Sequence, residues 1–112
     1  MSTEKAKYST YEEENLGFDL NISTGVNTQA YNLTKKWSIV TTITASEGWV
    51  HLPPAKLGMM FSVKNSSGNN VLKVYPFPGD SEDSVVNAYA QLSNGWAKLF
   101  FCTNQGNWKV IN

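Results

Sequence analysis

The stretch "WSIVTTITASEGWVHLPP", residues 37–54, decides the fold class of this chain. It holds two short runs rich in β-branched and aromatic residues, parted by a turn around Ser46-Glu47. Period-two alternation places Trp37, Ile39, Thr41 and Ile43 on one side of the first run, with Val40 and Thr42 on the other. The second run, "GWVHL", stops at Pro53-Pro54, because proline has no N–H to give a strand ladder. Downstream the pattern recurs. "GMMFSVKN" puts Met59, Phe61 and Val63 on one face and Met60, Ser62 and Lys64 on the other. "NSSGNN" supplies turn residues and "VLKVY" returns, the pattern of a hairpin. "VVNAYAQL", "GWAKLFFCT" and "NWKVI" complete the set, with tight turns at Ser93-Asn94-Gly95 and Asn104-Gln105-Gly106-Asn107. In "SEDSVVNAYAQL" Ser81 and Asp83 would suit a helix cap, but Val85 and Val86 turn the reading to loop then strand. Short strands at regular spacing predict an all-β protein: a single antiparallel β-sandwich or barrel-like domain with an extended N-terminal arm.

Upstream the signal fades. Residues 21–36 are polar with scattered apolar positions, enough for one or two short strands. Residues 1–20 hold most of the acidic residues and few aliphatics. That hydrophobicity is too low for independent folding. Tyr8, Tyr11, Leu16 and Phe18 nevertheless suit an arm that orders on a partner, a frayed terminus being the plain alternative. The expected organisation is an arm over 1–20 and a β-sandwich domain over 21–112. Trp37, Trp49, Trp96 and Trp108 each sit near a strand start and are expected as core aromatics or interface anchors, worth roughly 1.5–3 kcal/mol each when buried.

Composition narrows the function classes. A chain of 112 residues is one domain. Only 16% of the residues are charged, so neutral Asn, Ser, Thr and Gln must cover the surface. Net charge is zero and the basic residues are dispersed lysines, which argues against nucleic acid, since that partner needs a basic face. Apolar runs fall far below the ~20 residues of a membrane span, and no membrane partner is expected. "MSTEKAKYSTYEEEN" lacks the apolar core of a secretory signal, so synthesis and retention in the cytoplasm are expected. Cys102 is the single cysteine, which excludes an intramolecular disulfide. Asn21, Asn32 and Asn65 open N-x-S/T triplets, read as chance in so polar a chain.

Motifs for chemistry are sparse. His51, the one histidine, needs a nucleophile or carboxylate nearby to catalyse, and a dyad with Cys102 is the only combination on offer. The simpler reading makes His51 a strand residue and Cys102 a small buried hydrophobe. Asp80, Glu82 and Asp83 alternate as calcium ligands would, but the glycine and the downstream glutamate of a calcium loop are misplaced. Zinc spacing, a phosphate loop and a dinucleotide glycine pattern are missing. Acids are rare in the strands, Glu47 in a turn being nearest, so a two-carboxylate glycosidase site is not expected. The expectation is no catalytic residue, no metal and no cofactor. Pro76-Phe77-Pro78 is either a stiff loop offering Phe77 to a partner or a crossover with Phe77 in the core; restricted prolines would lower the entropy cost of presenting it.

From Trp37 to Asn112 the order of elements resembles small virion proteins of tailed bacteriophages. The ordered set is "IVTTITA", "LPPAKLG", "MMFSVKNSSGNNVLKVYPFPGDSED" and "AYAQLSNGWAKLFFCTNQGNWKVI". Pro54 and Phe77-Pro78 depart from the small residues usual there. The resemblance implies a particle-surface role on the outside of the virion, first a capsid decoration (cement) protein. Its partner would be the major capsid protein, and local threefold head sites suggest a homotrimer. The alternative is a receptor- or glycan-binding module of a head or tail fibre, with Trp96, Trp108 and Tyr89 as the contact rings.

Overall fold

The computed structural model describes residues 15–25 and 29–112. Those residues form eleven strands: β1 Leu16–Ile22, β2 Tyr31–Asn32, β3 Trp37–Ile43, β4 Glu47–His51, β5 Met60–Asn65, β6 Val71–Tyr75, β7 Ser81–Glu82, β8 Val85–Val86, β9 Ala90–Leu92, β10 Ala97–Asn104 and β11 Asn107–Ile111. They make a seven-stranded sheet in the order β1-β3-β5-β10-β11-β7-β8 and a four-stranded sheet in the order β2-β4-β6-β9. The chain is all-β, as expected. Its plan is neither an antiparallel sandwich nor a barrel.

Odd strands enter the large sheet and even strands the small one through the first three coils. β1, β3 and β5 pair parallel, and so do β2, β4 and β6. Register partners Leu16, Trp37 and Ser62 lie 21 and 25 residues apart (37 − 16 and 62 − 37). Such spacing is that of a solenoid, in which each coil stacks on the one before. Parallel neighbours need a crossover, and here the crossover is the strand in the facing sheet. Antiparallel pairing is confined mostly to the closing end, where β10 pairs β5 and β11, β9 pairs β6, and β8 pairs β7. β7 pairs β11 in parallel.

Two expectations fall with that plan. The segment 59–75 is not a hairpin, because β5 and β6 lie in different sheets. Asn65 enforces the separation. Its Nδ2 donates to the carbonyls of Asn70 (2.7 Å) and Leu92 (2.9 Å), and its Oδ1 accepts from the Ser67 N–H (3.0 Å). The turn is thereby folded back towards β9. Second, β1 crosses the boundary drawn at residue 20, so Leu16 and Phe18 are strand residues at a sheet edge. Tyr8 and Tyr11 lie outside the described residues. β1 is irregular: its register shifts either side of Leu20, and Asp19 sits at φ 62°. Such a bulge blunts an edge against unwanted pairing.

The core fills the space between the sheets. Val40, Val50, Val63, Leu72, Val74, Leu92, Phe100, Cys102 and Trp108 are fully buried. Phe61 meets the edge of Trp108 at 5.9 Å and 74°, the edge-to-face arrangement that ring quadrupoles favour. Of the four expected core tryptophans only Trp108 is core. Trp96 is 57% exposed and Trp37 39%, while Trp49 is half-buried. In β3 the buried positions are Ser38, Val40 and Ile43, and the Ser38 hydroxyl donates to the Lys35 carbonyl at 3.0 Å.

One close approach is tight enough to test. Thr24 and Trp49 exchange hydrogen bonds across the coil, Trp49 N–H to the Thr24 carbonyl and Thr24 Oγ1 to the Trp49 carbonyl. The next residue, Gly25, has no room for a side chain: an added Cβ would lie 2.1 Å from the Glu47 carbonyl oxygen. Gly25→Ala is therefore expected to lose about 2 kcal/mol. A thermal melt showing no drop in Tm would contradict this packing.

Candidate functional site

The small sheet turns an unusual face to solvent. β4 alternates inward Gly48 and Val50 with outward Glu47, Trp49 and His51. β6 alternates inward Leu72 and Val74 with outward Val71, Lys73 and Tyr75. Parallel register sets Trp49 beside Lys73 and His51 beside Tyr75, and Lys73 is opposite Gln91 of β9. The rings therefore gather. Tyr75 lies 5.3 Å from Trp49, 5.9 Å from His51 and 5.2 Å from Tyr89, centroid to centroid, tilted by 48–75°.

Polar contacts hold this cluster in place. The Trp49 indole N–H donates to Glu47 Oε1 at 2.9 Å, and Lys73 Nζ donates to the same oxygen at 3.1 Å. Lys73 also stands 4.7 Å over the Tyr89 ring, a cation–π distance. The hydrogen bonds from Trp49 and Lys73 hold the Glu47 carboxyl below its ordinary pKa, and the bond to Glu47 raises that of Lys73. Burial pushes His51 down and Tyr75 up. His51 is thus neutral at pH 7, with one ring nitrogen donating and the other accepting. A cavity of about 180 Å³ opens here, lined by Gln29, Ala30, Trp49, His51 and Tyr75.

The outer face of the large sheet has a different character. Register aligns Leu16, Trp37, Ser62, Leu99 and Ile111 in one row across five strands. Leu16, Trp37 and Ile111 are 37%, 39% and 45% exposed. Met60, Phe101 and Lys109 form the next row, bordering a shallow hollow lined by Lys36, Gly58, Met59, Met60, Phe61 and Phe101. Phe18 projects from the β1 edge, 63% exposed. Apart from Ser62 at its centre and Lys109 at its border, this face is apolar, the character that exposed interaction surfaces share.

The acidic turn does structural work with three separate partners. Asp80 Oδ2 accepts from the Ala55 N–H at 2.9 Å. Asp83 Oδ1 accepts from the Val110 N–H at 3.1 Å and lies 3.8 Å from Lys109 Nζ. Glu82 points inward, 4% exposed. Among the described residues no group of three or more acids, histidines or cysteines is placed to hold a metal. Next to the turn, Pro76 is buried while Phe77 is 44% exposed and Pro78 is exposed. The loop thus anchors on Pro76 and shows much of Phe77.

Sequence reasoning put other residues together than the fold does. His51 faces outward from the small sheet, whereas Cys102 is buried in the core with its thiol donating to the Asn104 carbonyl at 3.0 Å. They form no dyad. Of the three rings proposed for glycans, Trp108 is core, Trp96 is exposed just before β10, and Tyr89 joins the cluster. Trp49, His51 and Tyr75 were missed as a group. The available signal was that β4 places Glu47, Trp49 and His51 on one parity and β6 places Lys73 and Tyr75 on one parity, with Gly48, Val50, Leu72 and Val74 on the other. Comparison with protein-family models, curated proteins and solved structures gives no match.

Proposed function

We propose that this chain is a structural protein of a tailed-phage particle, a capsid decoration protein that binds the outside of the head and bridges capsomers. The observation that carries it is the row Leu16–Trp37–Ser62–Leu99–Ile111 on the outer face of the large sheet, apolar at every position but Ser62. A rigid two-sheet solenoid with an exposed apolar face is suited to wedging between protein subunits. The order of sequence elements from Trp37 onward supports the phage assignment. Homotrimeric assembly belongs to the same proposal: closed symmetry repeats a weak contact, and linked contacts multiply affinity without new chemistry.

The test is to add purified protein to undecorated heads and count bound copies per particle. Saturation at three copies per local threefold position is expected. Trp37→Glu, which places a charge in the row while sparing the core, should weaken binding at least about tenfold. Absence of stoichiometric binding to heads would sink the proposal.

A further inference from the structure

We propose that the outer face of the small sheet is a saccharide-binding site, taking a neutral pyranose against Trp49 and Tyr75 with Tyr89 extending the platform. This goes beyond the decoration role and stands on different residues, since the apolar row lies on the other sheet.

Four observations point to a sugar. First, the rings are amphipathic. An aromatic face carries negative quadrupole density and attracts the polarised C–H groups of a sugar's flat side, while phenol and imidazole edges meet its hydroxyls; the indole N–H is already given to Glu47. The row on the large sheet offers Leu, Trp, Leu and Ile instead, the chemistry of a protein interface. Second, the cavity of about 180 Å³ bounded by Gln29, Ala30, Trp49, His51 and Tyr75 falls below the ~300 Å³ lower end for drug-sized ligands. A single ring is the right scale, and Gln29 and His51 stand at its edge to meet hydroxyls. Third, Trp49, Tyr75 and Tyr89 adjoin at centroid distances of 5.3 and 5.2 Å with tilts of 55° and 48°, so one small ligand can touch more than one of the rings.

Fourth, the charge on the face cancels within it. Glu47 and Lys73 are paired at 3.1 Å and are largely shielded, at 22% and 17% side-chain exposure. Their remaining contacts fix rings: Glu47 holds the Trp49 indole and Lys73 lies over Tyr89. Neither is free to neutralise an anionic sugar, so the class selected is neutral. Because Trp49 is held before any ligand arrives, little ordering is left for binding to require.

The experiment is a microarray of neutral and acidic oligosaccharides probed with the full chain. The best-bound neutral oligosaccharide is then titrated while the indole N–H resonance of Trp49 is followed by NMR. Neutral glycans should bind and move that resonance. Trp49→Ala and Tyr75→Ala should each weaken binding at least tenfold, Tyr89→Ala several-fold, and Trp96→Ala not at all. Trp49 and Tyr75 are half-buried, so Trp49→Phe and the exposed Tyr89→Ala keep the test valid if the alanine variants unfold. Binding of acidic glycans only, no binding up to about 10 mM sugar, or an unmoved Trp49 resonance would overturn the proposal. So would protection of this face by heads in place of sugar, which would make it a protein contact. Head binding and its loss in Trp37→Glu are read separately, so either proposal can fail alone.

Discussion

Asn65→Asp is expected to cost about 3–5 kcal/mol at neutral pH, a large share of the roughly 6–17 kcal/mol expected for a domain this size. Asn65 is fully buried at the end of β5. Both of its amide donations end on carbonyl oxygens, those of Asn70 and Leu92, at 2.7 and 2.9 Å. Aspartate has the same shape and no donors. It would set a carboxylate oxygen against two carbonyl oxygens within hydrogen-bond distance, and leave both carbonyls unpaired at about 1–3 kcal/mol each. The main chain of Asn65 is engaged too, donating to the Trp96 carbonyl and accepting from the Gly95 N–H. Strain at this side chain therefore reaches the turn into β10.

The pH dependence distinguishes this account from general damage. A protonated aspartic acid recovers one donor, so the deficit relative to the native chain should shrink as pH falls. Urea denaturation of the two proteins at neutral and acid pH measures it. A deficit below about 1 kcal/mol at neutral pH, within the range of ordinary surface changes and single hydrogen bonds, would show that this amide does not hold the turn. Asn70→Asp is the internal comparison. Its Nδ2 also donates twice, to the Ile43 and Ala45 carbonyls, but Asn70 is only half-buried. Water can reach it, and its loss should be smaller.

Strand existence was legible in this sequence because period-two alternation is a local property. Phe61 and Val63 in β5 point inward as their alternation demands. Strand direction was not legible. Inward–outward alternation reads the same for parallel and antiparallel neighbours, and "NSSGNN" would serve a hairpin as well as a step into the facing sheet. Asn65 settles the matter through bonds to residues 5 and 27 positions away, beyond any local pattern. Which face of β3 turns inward was not legible for another reason. "WSIVTTI" is β-branched on both sides, so apolar contrast is too weak to set its phase.

The ring cluster was hidden by the same ignorance of direction. His51 and Tyr75 become neighbours through the parallel register of β4 and β6. Tyr89 reaches Tyr75 only because β9 returns antiparallel along β6. No spacing within one strand announces such a site. The acidic turn was legible as a turn, and its chemistry was not. Asp83 and Ser84 both have positive φ, 48° and 70°, the sign pattern of the tight hairpin between β7 and β8. That geometry sends three nearby carboxylates in three directions.

Glu82→Gln is expected to raise stability above neutral pH and to remove a pH dependence that the native chain carries. Glu82 is 4% exposed, and among the described residues neither carboxylate oxygen has a hydrogen-bond partner. Its register partner is Trp108, whose indole nitrogen is also buried and unpartnered. Burial pushes the carboxyl from its ordinary 4.5 up to about 8, with the Asp83 charge adding to the rise and Lys98 opposing it. Below about pH 4.5 folded and unfolded chains both hold the proton, and the group has no effect on folding. Between 4.5 and about 8 only the folded chain holds it. Stability then falls by about 1.4 kcal/mol for each pH unit. Above about 8 both states are ionised and the full penalty stands. Glutamine is neutral throughout and nearly the same size. The difference between variant and native should therefore start near zero at about pH 5, grow across the interval, and level off at several kcal/mol by about pH 9. A difference that stays flat with pH would mean that Glu82 is ionised in the folded protein and compensated there. Lys98 is the nearby cation for that role, lining with Glu82, Gln91 and Asn112 a polar cavity of about 340 Å³. Glu82→Gln with Lys98→Met then separates the cases: an ion pair makes the two substitutions non-additive, and a neutral carboxyl leaves them independent.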